Sequence, residues 1–126
     1  LSNVTTVLGT RPDRAVFAIG APGGRKVITS VLQSIVNFVD YKRSLQQAIS
    51  APRLHCESGK LQIDSRVSSD VLAQLAARGH TIEALEESFV TANFARPVGI
   101  SVDADTGLLR SGVDALRMAG AVGLDG

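Results

Sequence analysis

The sequence predicts an α+β fold in which helices cover an antiparallel sheet. Three observations support this class: a Thr- and Val-rich hairpin near the start, an apolar pattern with helical period after it, and a second hairpin before a Gly- and Ala-rich end. The 126 residues suffice for one domain at most, and the 44% hydrophobic content can supply its core. We therefore treat residues 1–126 as a single domain unit or a portion of one.

The first third of the chain contains a predicted hairpin, a loop and a long helix. Residues 3–8 and 15–19 are predicted strands, separated by the turn-rich segment 9–14. Residues 20–24, Gly-Ala-Pro-Gly-Gly, are predicted to be a sharply turning loop. A helix should follow from Arg25 to about Asp40. Its predicted buried stripe consists of Val27, Ile28, Val31, Leu32, Ile35, Phe38 and Val39.

The rest of the chain alternates short elements. Ser44 can cap a short helix that runs through Ile49 and stops before Pro52. Residues 54–56 and 61–63 are predicted strands. A helix capped by Ser68 or Ser69, carrying Val71, Leu72 and Leu75, should end at Gly79. A strand-like stretch begins at Thr81, and a last hairpin joins strands 95–102 and 108–110 through the turn at residues 103–107.

Composition and charge exclude several function classes. Thirteen Lys and Arg against twelve Asp and Glu leave a net charge of +1 without a basic stripe, which argues against a nucleic-acid partner. No apolar run approaches the roughly 18 residues of a membrane span, and residues 1–3 show no signal-peptide pattern. Cys56 is the single cysteine and cannot close an internal disulfide. Beside it, His55 alone makes no metal site, so we expect neither metal nor cofactor.

The strongest local candidate for chemistry is the glycine pair Gly23-Gly24 between a strand and a helix. Backbone N–H groups at a helix N-terminus favour negative charge, so this pair can stabilise the oxyanion of an acyl transfer. A phosphate cradle is the rival functional interpretation, although the spacing fits neither the P-loop nor the Gly-x-Gly-x-x-Gly pattern. A tight connection with no ligand is the third, and it is common in such turns.

The other polar residues favour structural roles. Thr5 and Thr6 are predicted strand residues, and His55 and His80 are predicted to be structural histidines with no carboxylate partner at dyad spacing. A solvated acidic face is predicted for Glu83, Glu86 and Glu87. A turn is predicted for Asp103 and Asp105. From its residues alone, the chain holds an oxyanion-hole candidate but neither a nucleophile nor a base.

Four separated motifs resemble the γ-glutamyltranspeptidase family, in order and over essentially the whole chain. Residues 20–33 resemble its Gly-Ser-Pro-Gly-Gly-Ser-x-Ile-Ile-Thr-x-Val-Leu-Gln motif, and residues 36–40 resemble the end of the same helix. Residues 48–55 resemble Ala-x-x-Ala-Pro-Arg-x-His. Residues 112–123 are similar to the closing Gly-x-x-Asp-Pro-Arg and Gly-x-Ala-x-Gly. At the front, residues 1–6 lie where the family has Leu-Ser-Ser-Met-Ser-Pro.

The resemblance implies an N-terminal-nucleophile hydrolase fold, a four-layer αββα sandwich, of which residues 1–126 would be the C-terminal portion of the small subunit. Such precursors cleave themselves, and the new N-terminal Thr attacks the γ-glutamyl amide of glutathione or a related compound. That Thr would lie upstream, so this chain alone is expected to be inactive. Implied partners are the rest of the small subunit, the large subunit and a small γ-glutamyl substrate. The implied location is periplasmic or extracellular.

Site residues carry over individually from the resemblance. Gly23 and Gly24 match the pair whose amides face the oxyanion, and Ser2 matches the first of two serines near the γ-glutamyl carboxylate. Asn3 replaces the second serine, and Arg25 replaces the Ser beside the glycine pair. Both departures also fit a related amidase or acylase of cephalosporin-type substrates, and a non-catalytic scaffold is a third possibility. Leu116 replaces a Pro before Arg117 and is expected to loosen the terminal turn.

Overall fold

The computed structural model describes residues 4–116 and 119–123. Within them the chain forms seven strands and three helices, and a single 3-10 turn at Gly24–Lys26 leads directly into the first helix. In chain order the elements are β1 (Val4–Arg11), β2 (Arg14–Pro22), α1 (Val27–Val39), α2 (Leu45–Ser50), β3 (Leu54–Glu57), β4 (Lys60–Asp64), α3 (Ser69–Ala77), β5 (Thr81–Leu85), β6 (Val98–Val102) and β7 (Leu109–Val113). The predicted α+β class is confirmed.

The larger sheet contains four antiparallel strands in the order β1-β2-β6-β7. Both predicted hairpins are present, since β1 pairs with β2 and β6 pairs with β7. The second hairpin turns at residues 103–107, where Gly107 has a φ of 73°. The predicted strand 95–102 is shorter in the structure, because residues 95–97 precede β6 and form no strand.

The predicted loop at residues 20–24 begins later than expected. Gly20 and Ala21 lie in β2, where Gly20 pairs with Thr6 on one side and Val98 on the other. A Cβ at Gly20 would lie 2.9 Å from the Thr6 Oγ1 and 3.0 Å from the Thr5 carbonyl oxygen. At this position glycine therefore permits close strand packing, and the turn starts only at Gly23.

Helix α1 is confirmed, but only four of the seven predicted stripe residues are buried or partly buried. Val27 and Val31 pack into the core with Ile35 and Phe38 at its margin, and the Phe38 ring meets Phe17 edge-on at a centroid distance of 5.6 Å. Other predicted stripe residues face outward and are exposed in this chain: Ile28, Leu32 and Val39. The i, i+3/i+4 pattern spans more of the helix circumference than the sheet covers.

Helix α2 completes the core on the same face of the large sheet. Ser44 caps it as predicted: the Ser44 hydroxyl accepts from the Gln47 N–H, and the Gln47 side-chain oxygen accepts from the Ser44 N–H. Leu45 and Ile49 are buried beside Ile19. Burial of each such aliphatic side chain contributes about 1.5–3 kcal/mol to folding.

The smaller sheet has the order β3-β4-β5, and its last pair is parallel. The predicted wholly antiparallel arrangement is therefore wrong here, because α3 carries the chain back across the sheet between β4 and β5. Ser68 occupies the N-cap position of α3 without a side-chain cap hydrogen bond, and no residue of α3 is buried. Gly79 follows the helix with a φ of 90°, as the predicted stop signal requires.

The opposite face of the large sheet is apolar, and the described residues cover only part of it, where residues 120–123 line a cavity with the sheet. Four exposed side chains line it: Leu8, Val98, Ile100 and Leu109. A sheet needs cover on such a face, so the described residues correspond to one helical layer and one sheet layer of a larger sandwich. Among the described helices, none is both long and apolar enough to cross a membrane.

Candidate active site

The glycine pair lies at the junction between β2 and the 3-10 turn that opens α1. Gly23 has a φ of 142° and Gly24 a φ of 65°, a region that side chains disfavour. Neither amide donates to a protein acceptor within the described residues. Both N–H groups therefore remain available at the positive end of the helix.

The two glycines have different surroundings. A Cβ at Gly23 would lie 2.6 Å from both the Cα and the Cβ of Ala95, so only glycine fits there. A Cβ at Gly24 would meet nothing within 4 Å. One glycine thus packs against a neighbouring segment, whereas a side chain at the other would point into open space.

The neighbouring segment, residues 86–97, has no helix or strand and is fixed by side chains. The buried Glu87 carboxylate accepts from the Asn93 N–H at 2.7 Å and from the Phe94 N–H at 2.9 Å. Arg96 N–H donates to the Pro22 carbonyl at 3.1 Å, which ties the segment to the end of β2. The prediction that Glu87 belongs to a solvated acidic face is therefore wrong, since this carboxylate replaces missing backbone partners in a buried turn.

Lys26 holds the same segment from the helix side. Its ammonium donates to the Asn93 carbonyl at 2.6 Å and lies 5.2 Å from the centre of the Phe94 ring. Contacts of this kind between a cation and a ring face contribute about 0.5–2 kcal/mol. No sequence signal links Lys26 to residues 67 positions away, so this support was missed by the sequence analysis.

A chain of polar side chains links α1 to Arg25, the residue that follows the glycine pair. The buried His55 ring has its Nδ1 3.0 Å from the Thr29 hydroxyl and its Nε2 3.4 Å from a Glu57 oxygen. The other Glu57 oxygen accepts from Arg25 at 2.5 Å. Hydrogen bonds from Arg25, and then from His55, hold the pKa of Glu57 below its usual range.

This arrangement confirms that His55 is a buried, hydrogen-bonded structural histidine, and it corrects two other predictions about the histidines. His55 has a carboxylate partner after all, because residues i and i+2 of a strand share a face and Glu57 follows at that spacing. That alternation could have been recognised in the sequence. His80 is exposed and its ring forms no hydrogen bond with any described residue, so it is not a packed structural histidine.

Two of the resembling motifs meet in a buried ion pair. Arg53 donates to Asp114 at 2.8 Å and to the Ile49 carbonyl at 2.6 Å, with both charged side chains almost fully buried. Leu116 N–H donates to the other Asp114 oxygen at 3.1 Å. A proline at this position would have no N–H to make this bond, so Leu116 adds a contact to the turn. The expected loosening of the turn stays a prediction.

Some of the remaining predicted positions are confirmed as turn or strand residues, and three lie outside the described residues. Thr5 and Thr6 lie in β1 as predicted. The Asp103 carboxylate accepts from the turn amides and the Thr106 hydroxyl, which lower its pKa to about 2 together with Arg110. Ser2, Asn3 and Arg117 lie outside the described residues. Residues 4–116 and 119–123 contain no group of three or more acidic, His or Cys side chains that could hold a metal ion.

Comparison with known proteins gives consistent matches in sequence and structure. The sequence profile described as Gamma-glutamyltranspeptidase matches residues 1–123. A glutathione hydrolase proenzyme of Bacillus subtilis (strain 168) is 30% identical over 128 residues, which cover 99% of this chain and 21% of that protein. The acylase ACY 1 proenzyme of Pseudomonas sp. (strain V22) is 36% identical over 81 residues, 64% of this chain and 14% of that protein.

Solved structures agree on the fold. A mutant gamma-glutamyltranspeptidase from Helicobacter pylori superposes with a TM-score of 0.78 at 25% identity, covering 91% of this chain and 61% of its own. The cephalosporin acylase from Bacillus halodurans gives a TM-score of 0.83 at 24% identity, over 93% of this chain and 22% of its own. The chain thus spans about a seventh to a fifth of the two curated relatives described above.

Proposed function

The chain belongs to the γ-glutamyltranspeptidase family, and on that premise we propose that it is part of an enzyme acting on γ-glutamyl amides such as glutathione. The enzyme transfers the γ-glutamyl group to an amine or hydrolyses it. The proenzyme names of its relatives and their much greater length support a larger precursor. In this proposal the nucleophilic N-terminal Thr and the large subunit come from the rest of that precursor.

One observation carries the role of this segment: two adjacent backbone amides at the positive end of a helix have no acceptor in the described part of the chain. Gly23 and Gly24 are proposed to donate these N–H groups to the oxyanion that forms on the substrate carbonyl. Packing of Gly23 on Ala95 fixes the pair before substrate arrives, and a preorganised donor avoids reorganisation during the reaction.

The proposed chemistry has two balanced steps. The Thr hydroxyl oxygen bonds to the γ-carbonyl carbon, the amide C–N bond breaks, and the hydroxyl proton passes to the leaving amine. Water or an acceptor amine then attacks the resulting ester, and a proton returns to the Thr oxygen. Each step passes through a tetrahedral oxyanion, so the glycine amides act twice. Ser2 and Asn3 are proposed to bind the α-carboxylate of the γ-glutamyl group.

A related acylase is the second candidate. The observation that favours it is the 36% identity to an acylase proenzyme. Asn3 and Arg25 also stand where the resembling family motif has serine. The same glycine pair serves both candidates, since every acyl transfer from an amide forms an oxyanion. The two differ in whether the acyl group carries an α-amine.

The test uses the full-length protein and two matched anilides. γ-Glutamyl-p-nitroanilide and glutaryl-p-nitroanilide differ only in the α-amino group, and each releases nitroaniline on acyl transfer. The proposal predicts faster turnover of the γ-glutamyl donor. Preference for the glutaryl donor would favour the acylase, and release from neither would contradict both candidates.

A further inference from the structure

A cavity of about 400 Å³ opens directly beside Gly23, and its lining contains more cationic than anionic side chains. Three cationic side chains line it: Arg25, Lys26 and Arg96. Among the described residues, Glu57 is the single carboxylate in its lining. The remaining lining comes from Gly23 and from residues 92–94 of the segment that crosses it. A concave site with an excess of one charge concentrates ligands of the opposite charge.

The three cationic side chains differ in the ion pairs and hydrogen bonds that they form with described residues. Arg25 is paired with Glu57, although its side chain stays 83% exposed. Lys26 is held by the Asn93 carbonyl and the Phe94 ring. The Arg96 guanidinium forms neither an ion pair nor a hydrogen bond with any described residue, although its backbone is anchored on Pro22. A fixed backbone with an unpartnered guanidinium is suited to bidentate binding of a carboxylate.

We propose that this cavity binds a carboxylate on the amine side of the scissile bond, with Arg96 as its main contact and Arg25 as its neighbour. The inference rests on the proposed function, in which Ser2 and Asn3 bind the carboxylate on the acyl side. The amine side is the leaving group in the first step and the acceptor in the second, so one subsite serves both. The preferred substrates are then peptides with a free C-terminal carboxylate, such as glutathione.

The position of the cavity supports this assignment. Gly23 belongs both to the glycine pair and to the cavity wall, so the cavity adjoins the place where the substrate carbonyl is proposed to bind. Arg25 follows the glycine pair directly in the chain, and its guanidinium donates to one oxygen of Glu57. The other Glu57 oxygen contacts the Nε2 of the buried His55. This support keeps the Arg25 charge at the rim of the cavity.

The experiment compares two donors on the full-length enzyme: glutathione, and glutathione whose glycine carboxylate is converted to the amide. The measured quantity is the ratio of kcat/KM for the acid to that for the amide. Arg96→Gln should lower this ratio about 10-fold or more, the loss typical of a hydrogen bond to a charged group. Arg96→Lys should restore part of it. Arg78→Gln is the matched control, since Arg78 is exposed at the end of α3 and outside the cavity lining.

The outcomes separate the two proposals. Wild-type enzyme that releases nitroaniline from γ-glutamyl-p-nitroanilide but shows no preference for the acid over the amide overturns the inference alone. An equal loss with both donors in Arg96→Gln also overturns it, because the side chain then supports structure instead of recognising charge. Wild-type enzyme that acts on no γ-glutamyl donor overturns the proposed function and this inference together.

Discussion

Replacing Gly24 by proline tests the proposed oxyanion contact at a single atom. Proline has no N–H, and its φ near −65° also differs from the 65° of Gly24. Loss of one oxyanion donor costs about 10²–10³ in kcat. We therefore expect Gly24→Pro to lose at least this much, measured as nitroaniline release from γ-glutamyl-p-nitroanilide by the full-length enzyme.

Gly24→Ala is the control that separates the amide from the backbone shape. Alanine keeps the N–H, and its methyl group would enter space with no atom within 4 Å. Its cost is the left-handed conformation, about 1–2 kcal/mol of stability, which appears in Tm and leaves the amide in place. We expect its kcat to stay within about 10-fold of wild type, which is a smaller loss than removal of a whole oxyanion donor causes.

Each rate must be expressed per cleaved chain, because a variant can also process itself poorly. Intact mass spectrometry supplies the cleaved fraction for each preparation. Near wild-type kcat in Gly24→Pro would refute the oxyanion assignment. A loss in Gly24→Ala as large as in Gly24→Pro, with both variants folded and cleaved, would show that the space beside Gly24 matters and its amide does not.

Three further predictions concern the scaffold, each measured on the full-length protein. Asp114→Asn should lower the free energy of unfolding by about 3–5 kcal/mol, because it leaves the buried Arg53 charge unpaired; a loss below 1 kcal/mol in urea unfolding would contradict this estimate. Val31→Asp should prevent folding, because Val31 is 2% exposed in the core; soluble protein with wild-type Tm would refute the buried face of α1. Hydrogen bonds from Arg66 keep the pKa of buried Asp64 below 3.8 despite the opposing effect of burial. Its stabilisation is thus present above about pH 4 and is lost as the pH falls through the lowered pKa; Asp64→Asn should flatten this acid dependence of Tm, and an unchanged slope would exclude the role.

Local signals in the sequence predicted the elements well. The Ser44 capping box, the stop at Gly79 and the Asp103 turn are each made by residues within a few positions, so the pattern itself contains the interaction. The glycine pair is of the same kind. Its position between an apolar strand and a helical stripe predicted available amides, and among residues 4–116 and 119–123 neither amide has a protein acceptor.

Features that depend on distant segments, or on how an irregular segment folds back on itself, were not predictable in this way. The ion pair of Arg53 and Asp114 joins residues 61 positions apart, and no local pattern specifies it. Glu87 lies in an acidic stretch and is nevertheless buried, because it binds amides of its own turn. The face of α1 was misjudged at Ile28 for a related reason. Periodicity shows that a helix side is apolar, whereas its cover depends on what else is present.

Intact mass spectrometry of the denatured full-length protein tests the central claim most directly. The account predicts two chains, the smaller beginning with Thr and containing residues 1–126, with a mass increase of one γ-glutamyl group when the reaction is stopped during turnover of γ-glutamyl-p-nitroanilide. Such an adduct on the smaller chain would identify the nucleophile that the glycine pair serves. A single uncleaved chain without any adduct would contradict the account, because the amides of Gly23 and Gly24 would then face no acyl-enzyme.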